Sequence, residues 1–268
     1  MWPPAGQHLA HACGALVVAA LGGLAGRGLS RELGEAGSAR PWLGWLAVPA
    51  LMLLLLPRQQ LLARWPARAM PLAYARSAAA VLTALLLVWT LLANIISNGA
   101  ARPLPHLPLL NPLDLGIALA LFVAWRWRLS EPARALWAPM PQLPAVVLGA
   151  LGFVWLNGML VRGFHHLGGV PFHFSAWTNS LAVQTGLTLL WTSLALALTW
   201  WSARRDQRAP WPVGAALLGV AVAKLLLVDL SGSGTVTRIV SFIGAGVLML
   251  VIGYVAPLPG KEKSHAPS

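Results

Sequence analysis

Ten polar residues stand inside or at the borders of long apolar runs: Asn111, Asp114, Asn157, Arg162, His165, His166, Gln184, Lys224, Asp229 and Arg238. Lys224 is the sharpest of them. It lies in the run AALLGVAVAKLLLVDL, about 7.5 Å deeper than Asp229 at a rise of about 1.5 Å per residue. An ammonium in hydrocarbon costs at least a few kcal/mol and marks a substrate or proton path by default. A second reading is a snorkelling anchor, whose stem reaches outward until the charge finds water or helix-end carbonyls. Five residues place Lys224 and Asp229 about 140° apart around an ideal helix, a poor angle for pairing. A partner on another helix, such as Asp114, is equally open.

Asn111-Pro112-Leu113-Asp114 reads as a helix start. Asn caps free N–H groups, Pro suits the first helical position, and an acidic third residue answers the helix dipole. A ligand role for Asp114 is the alternative. Pro103, Pro105 and Pro108 are expected to keep the preceding chain extended. Ser180, Gln184 and Trp191 share one helical face by spacing, and Asn94 and Asn157 add amides at depth. Such groups either bond neighbouring helices or line a polar cavity. Gly149, Gly152, Gly244 and Ala245 are expected to permit close helix approach. His106, His165, His166 and His173 invite a metal, but the spacing is not HExxH and no Cys/His ladder accompanies it. Unpaired histidines beside lipid head groups are the favoured reading. No P-loop, GxSxG or dinucleotide fingerprint occurs, so no cofactor and no metal are expected.

These residues need elements to hold them. The chain of 268 residues is 57% hydrophobic and only 10% charged, against roughly 25% charged in soluble domains. That surface suits lipid better than water, and 14 Trp suit the membrane–water interface. Backbone groups in lipid must bond within their own segment, so apolar runs near 20 residues should be helices. Eight such runs occur, at about 8–26, 41–57, 73–97, 112–128, 143–164, 177–202, 211–230 and 236–256. None alternates with period two, which excludes a barrel. The expected fold is all-α: a polytopic transmembrane helix bundle forming one domain over residues 1–257, with a disordered cytoplasmic tail at 258–268. Residues 1–26 hold no Lys or Arg, so the first run reads as a span rather than a secretory signal. The single cysteine, Cys13, implies no internal disulfide.

The net charge is +12. No basic patch accompanies a nucleic-acid reading element, so the cations are read as topology signals and contacts to anionic lipid head groups. Loops after the second, fourth and sixth runs, with the tail, carry twelve Lys and Arg against six on the other side. Positive-inside then puts both termini in the cytoplasm. The first run alone argues the reverse, with three cations after it and none before. The opposite face gathers the loops 97–115, 161–177 and 229–238, and with them the histidines, Asp114, Asp229, Arg162 and Arg238.

The segments PLPHLPLLNPLDL from Pro103, RGFHH from Arg162, SLAVQTGLTLLW from Ser180 and KLLLVDLSGSGTVTRIVSFIGAGVLMLVIGY from Lys224 resemble, in order, the C-terminal part of the domain of unknown function 2339 family. These are large bacterial polytopic membrane proteins, usually longer, with a charged N-terminal segment and more spans. The resemblance covers roughly residues 75–256 and implies a bacterial inner-membrane location without an assigned activity. It implies a short member or the C-terminal piece of a longer frame, with further helices or an oligomer as partners. Its motifs match Asn111, Asp114, Arg162, His165, His166, Gln184, Lys224, Asp229, Arg238 and Ser241. Three functions follow as expectations: a transporter or transport accessory with a polar site near the outward face, an envelope enzyme on a lipid-linked or glycan substrate, or a structural subunit without a site.

Overall fold

The computed structural model describes residues 3–32, 39–56, 58–205 and 211–224, together with Gly246 and Leu250. Every element among them is helical. The chain divides into two compact units, residues 1–172 and 173–268.

The first unit carries α1 (Pro4–Glu32), α2 (Arg40–Leu55), α3 (Ala73–Ile96), α4 (Pro112–Arg128) and α5 (Leu143–Gly168). The first six residues of α3, Ala73–Ala78, are wound as π-helix. Of these, α1, α3 and α5 are long and apolar enough to cross a membrane. α2 and α4 have 16 and 17 residues, and a 17-residue helix is about 25 Å long, short of a full hydrocarbon core. Leucine, isoleucine and valine lie on the outside: Leu85, Val88, Leu92, Ile95 and Ile96 of α3 are all exposed. Water penalises such a surface and lipid does not.

The interior is built where the small and branched faces meet. Leu46, Ala50 and Leu53 of α2 pack with Leu82, Leu86 and Ala93 of α3 and with Leu113, Ile117, Ala120 and Val123 of α4. α1 and α2 approach closely at Gly26 and Gly44, where a Cβ on Gly26 would lie 2.5 Å from the Gly44 carbonyl oxygen. Gly149 and Gly152 do not serve as expected. A Cβ on either would meet nothing within 4 Å among the described residues, and Gly149 stands on an exposed face of α5. Gly244 and Ala245 lie outside the described residues.

Hydrogen bonds sort the helix ends into two sets. At one end His8 Nε2 meets Ser77 Oγ at 2.9 Å, His11 Nδ1 meets the Tyr74 hydroxyl at 2.9 Å, and Trp127 Nε1 donates to the Ala75 carbonyl at 3.1 Å. The starts of α1 and α3 therefore lie beside the end of α4. At the other end Ala39 N donates to the Ala100 carbonyl at 2.7 Å, and Trp89 Nε1 to the Trp42 carbonyl at 3.0 Å.

The second unit contains a short helix, Phe174–Asn179, then α6 (Leu181–Arg204) and α7 (Trp211–Lys224). The run expected at 177–202 is interrupted. Ser180 adopts an extended backbone, and its hydroxyl accepts from Val183 N to start α6, as Ser favours at an N-cap. α6 is long and apolar enough to span. Gly214 of α7 lies against Thr199 of α6. The runs expected at 211–230 and 236–256 are described only through Lys224 and at Gly246 and Leu250.

Candidate functional site

The proline-rich loop before α4 sets the first side of the site. It folds into turns rather than staying extended, with Leu104 N bonded to the Ala101 carbonyl at 3.0 Å and Asn111 N to the Leu107 carbonyl at 2.9 Å. Leu109 takes a φ of 68° to close the second turn, a strained conformation for a branched residue. Asn111 then caps α4 as its sequence predicts, its Oδ1 accepting from Leu113 N at 2.8 Å. Its amide nitrogen donates to the Gly99 carbonyl at 2.6 Å and to His106 Nδ1 at 2.9 Å. One side chain thus ties the helix start to two points of the loop.

Arg162 departs most from expectation. It falls where the run expected at 143–164 and the loop expected at 161–177 overlap, but α5 runs on to Gly168 and ends at Gly169, which sits at φ 68° and donates to the Phe164 carbonyl. Left-handed glycine is the common helix stop, and the polar RGFHH stretch is therefore the last two turns of a helix. Arg162 and Asp114 form an ion pair of 2.6 Å with both side chains 0% exposed. The guanidinium also donates from Nη2 to Asn94 Oδ1 at 3.0 Å and from Nη1 to the Asn94 carbonyl at 3.2 Å. Trp155 Nε1 donates to the same Asp114 Oδ1 at 3.1 Å. Asn94 in turn donates to the Val154 carbonyl at 2.9 Å. Four side chains from α3, α4 and α5 are joined in this way.

Two glycines make the room. Gly99 has a φ of 75°, and a Cβ there would stand 2.8 Å from Arg162 Cδ. A Cβ on Gly158 would overlap the Asn94 amide.

The ion pair is one-sided. A guanidinium and a carboxylate commonly meet through two parallel hydrogen bonds, but here both Trp155 and Arg162 use Asp114 Oδ1. Among the described residues, Asp114 Oδ2 and Arg162 Nε are buried without a hydrogen-bond partner, as are His106 Nε2 and, one helical turn from Asn94, Thr90 Oγ1. Orphaned buried polar atoms are uncommon, and each calls for a reason.

The histidines lie beside this pair and have partners. His166 Nε2 bonds the Asn98 carbonyl at 2.8 Å, and its ring stacks on His106 at 4.2 Å. His165 Nδ1 bonds the Val170 carbonyl at 2.8 Å. The expectation of unpaired histidines among head groups is therefore corrected for His165 and His166: loop carbonyls just beyond the ends of α5 and α3, at Val170 and Asn98, take up the two rings. Burial pushes the pKa of His106, in the loop before α4, below its ordinary value, and the neighbouring His166 adds to that. Among the described residues no histidine ring bonds a carboxylate, and no group of three His, Cys, Asp or Glu could hold a metal ion. Asn157 donates to the Phe153 carbonyl of its own helix at 2.7 Å.

In the second unit, Lys224 Nζ donates to the Gln184 carbonyl at 3.1 Å and to Thr188 Oγ1 at 2.8 Å. Gln184 Nε2 donates to the Trp177 carbonyl at 2.9 Å. Asp229, Arg238 and Ser241 lie outside the described residues. Asn94 was read only as one of two amides at depth, and Trp155, Gly99, Gly158 and Thr90 were not singled out. Trp155, Gly158, Arg162 and His166 do recur at helical spacing, a pattern that could have exposed a polar face on α5.

An all-helical chain with several apolar, lipid-length helices and a charged pair buried between them is an integral membrane protein of the polytopic kind. The family model for predicted membrane proteins of domain of unknown function 2339 matches residues 2–259, and the chain belongs to that family. The match reaches well before residue 75, where the resemblance in the sequence motifs began. No curated protein and no solved structure matches it.

Proposed function

We propose that this protein is a transporter or transport accessory of the bacterial inner membrane, with eight spans, both termini cytoplasmic and the Asp114–Arg162 cluster on the outward side. The observation that carries the reading is the one-sided buried ion pair. Ionisable groups inside a bilayer are retained where they line substrate, ion or proton paths. Here Asp114 Oδ2, Arg162 Nε and Thr90 Oγ1 lie along one helix junction with hydrogen-bonding capacity that no described residue uses. In this reading the described arrangement is the closed state, and opening separates Asp114 from Arg162 and admits water to Thr90.

The scaffold reading is second, favoured by the number of elements that Asn94, Asn111 and Arg162 tie together. An envelope enzyme needs a histidine in reach of a carboxylate within an open cleft. Among the described residues His165 and His166 bond backbone carbonyls instead, and His106 bonds the Asn111 amide.

Thiol accessibility separates the first two. Thr90→Cys is nearly isosteric at a position 1% exposed. It is made with Cys13→Ser, because Cys13 is exposed. A transporter predicts slow but complete labelling of intact cells by a membrane-impermeant thiol reagent, and faster labelling when Asp114→Asn is added. Thr90→Cys that stays unlabelled in both backgrounds, while Leu104→Cys in the exposed loop labels fully, establishes the scaffold and ends the transport reading.

A further inference from the structure

A second feature of the first unit lies at the opposite helix ends from the ion pair. Between α3, α4 and α5 runs an apolar groove of about 180 Å3, lined by Ala80, Thr83 and Leu87 of α3, Ala124 and Trp127 of α4, and Val147 of α5, among others. Its floor is buried, with Ala124 and Trp127 1% and 3% exposed, and its wall reaches the lipid-facing surface at Leu143 and Val147, 38% and 36% exposed. The groove is therefore a slot that opens to the side of the helices, where a spanning arrangement would bring acyl chains to it.

Cations stand at one end of this slot. Arg128, the last residue of α4, lines it. Its guanidinium lies 4.4 Å from the Trp125 ring centroid, and its Nε is buried without a hydrogen-bond partner among the described residues. Arg76 is exposed and precedes Ala80 by one turn. The bond from Trp127 Nε1 to the Ala75 carbonyl, 3.1 Å, holds these two chain segments side by side. Among the described residues no acidic side chain lines the groove.

We propose that this groove is a binding site for one anionic diacyl phospholipid, with an acyl chain in the slot and the headgroup phosphate on Arg128 and Arg76. An apolar slot alone would take any lipid. Arg128 on its lining, with Arg76 one turn before Ala80 on α3, selects an anionic one, since Arg donors match phosphate geometry and basic pockets between spanning helices suit anionic head groups. The site is independent of the transport reading, because it shares no residue with the Asp114–Arg162 cluster.

Native mass spectrometry of the purified full chain tests it, with dioleoylphosphatidylglycerol titrated against dioleoylphosphatidylcholine. The expected result is one phosphatidylglycerol retained where phosphatidylcholine has been lost. Arg76→Gln and Arg128→Gln should each weaken retention about fivefold, the factor typical of one surface cation near an anionic lipid. Val147→Trp, which fills the slot and leaves both arginines, should weaken it by at least as much. Arg76 is exposed and Val147 is partly so, which keeps folding out of the comparison. Equal retention of the two lipids overturns the proposal. So does loss in the arginine variants alone, which means surface attraction, or loss in Val147→Trp alone, which means unselective apolar contact.

Discussion

Replacing Arg162 by Met removes a guanidinium that is completely buried and holds three hydrogen bonds, of 2.6, 3.0 and 3.2 Å, to Asp114 and Asn94. The Met side chain fills much of the space beside Gly99 but leaves Asp114 with Trp155 as its remaining donor. Breaking one partner out of a buried pair costs about 3–5 kcal/mol, because a charge is left uncompensated. Replacing both partners by apolar residues of similar volume is often near neutral for the same reason. Arg162→Met and Asp114→Leu should therefore each lose about 3–5 kcal/mol, while the double variant should lose far less than their sum. Arg162→Lys should lie between, since one ammonium cannot reproduce a planar fork reaching Asp114 and both oxygens of Asn94. The assay is unfolding of the purified protein in mixed micelles by titrated dodecyl sulfate, followed by circular dichroism. Single variants within about 1 kcal/mol of wild type, or a double variant losing the full sum, would refute the reasoning, because charge compensation would then contribute nothing.

Two further outcomes follow from the same cluster. Gly99→Ala should destabilise by about 1–3 kcal/mol, since its positive φ strains any side chain and its Cβ would press on Arg162 Cδ; Gly149→Ala, where a Cβ meets nothing, should be neutral or slightly stabilising, and equal effects at both positions would discredit the packing argument. His106 has a folded-state pKa lowered by burial and by His166, so the unfolded chain binds more protons in the window just below its unperturbed value near 6.5. Stability from this group is complete above that value and falls as pH drops through the window; the same dodecyl sulfate titration at stepped pH should show the fall in wild type and a smaller one in His106→Phe.

Some of this architecture was legible in the chain because its causes are local. The cap at Asn111 depends on a contact two residues away, from its own Oδ1 to Leu113 N, and Asn-Pro-x-Asp states it without help from the fold. The apolar runs at 73–97 and 143–164 became α3 and α5 because lipid leaves the backbone no other partner. The break at Ser180 was also local, yet it lay hidden in a continuously apolar stretch where length outweighed a single capping residue.

Arg162 shows why the rest was not legible. Its ion pair joins positions 48 apart and its bonds to Asn94 join positions 68 apart, and nothing in a single sequence specifies such distances. Counting cations as loop markers then put Arg162 with the outward loop although it also lies in the run at 143–164, because a charge in lipid is expensive unless a partner is known. The partner reverses that inference: with Asp114 beside it, the same charge becomes a reason for α5 to continue and for α3, α4 and α5 to meet at one depth. Lys224 is a similar case. Read alone it offered a substrate path or a snorkelling anchor, and in the fold its half-buried ammonium bonds the Gln184 carbonyl and Thr188 of the neighbouring α6. A polar residue in an apolar run is informative about function only after the fold has named what it touches, and in this protein the pair that retains unused hydrogen-bonding atoms, Asp114 and Arg162, has the stronger claim.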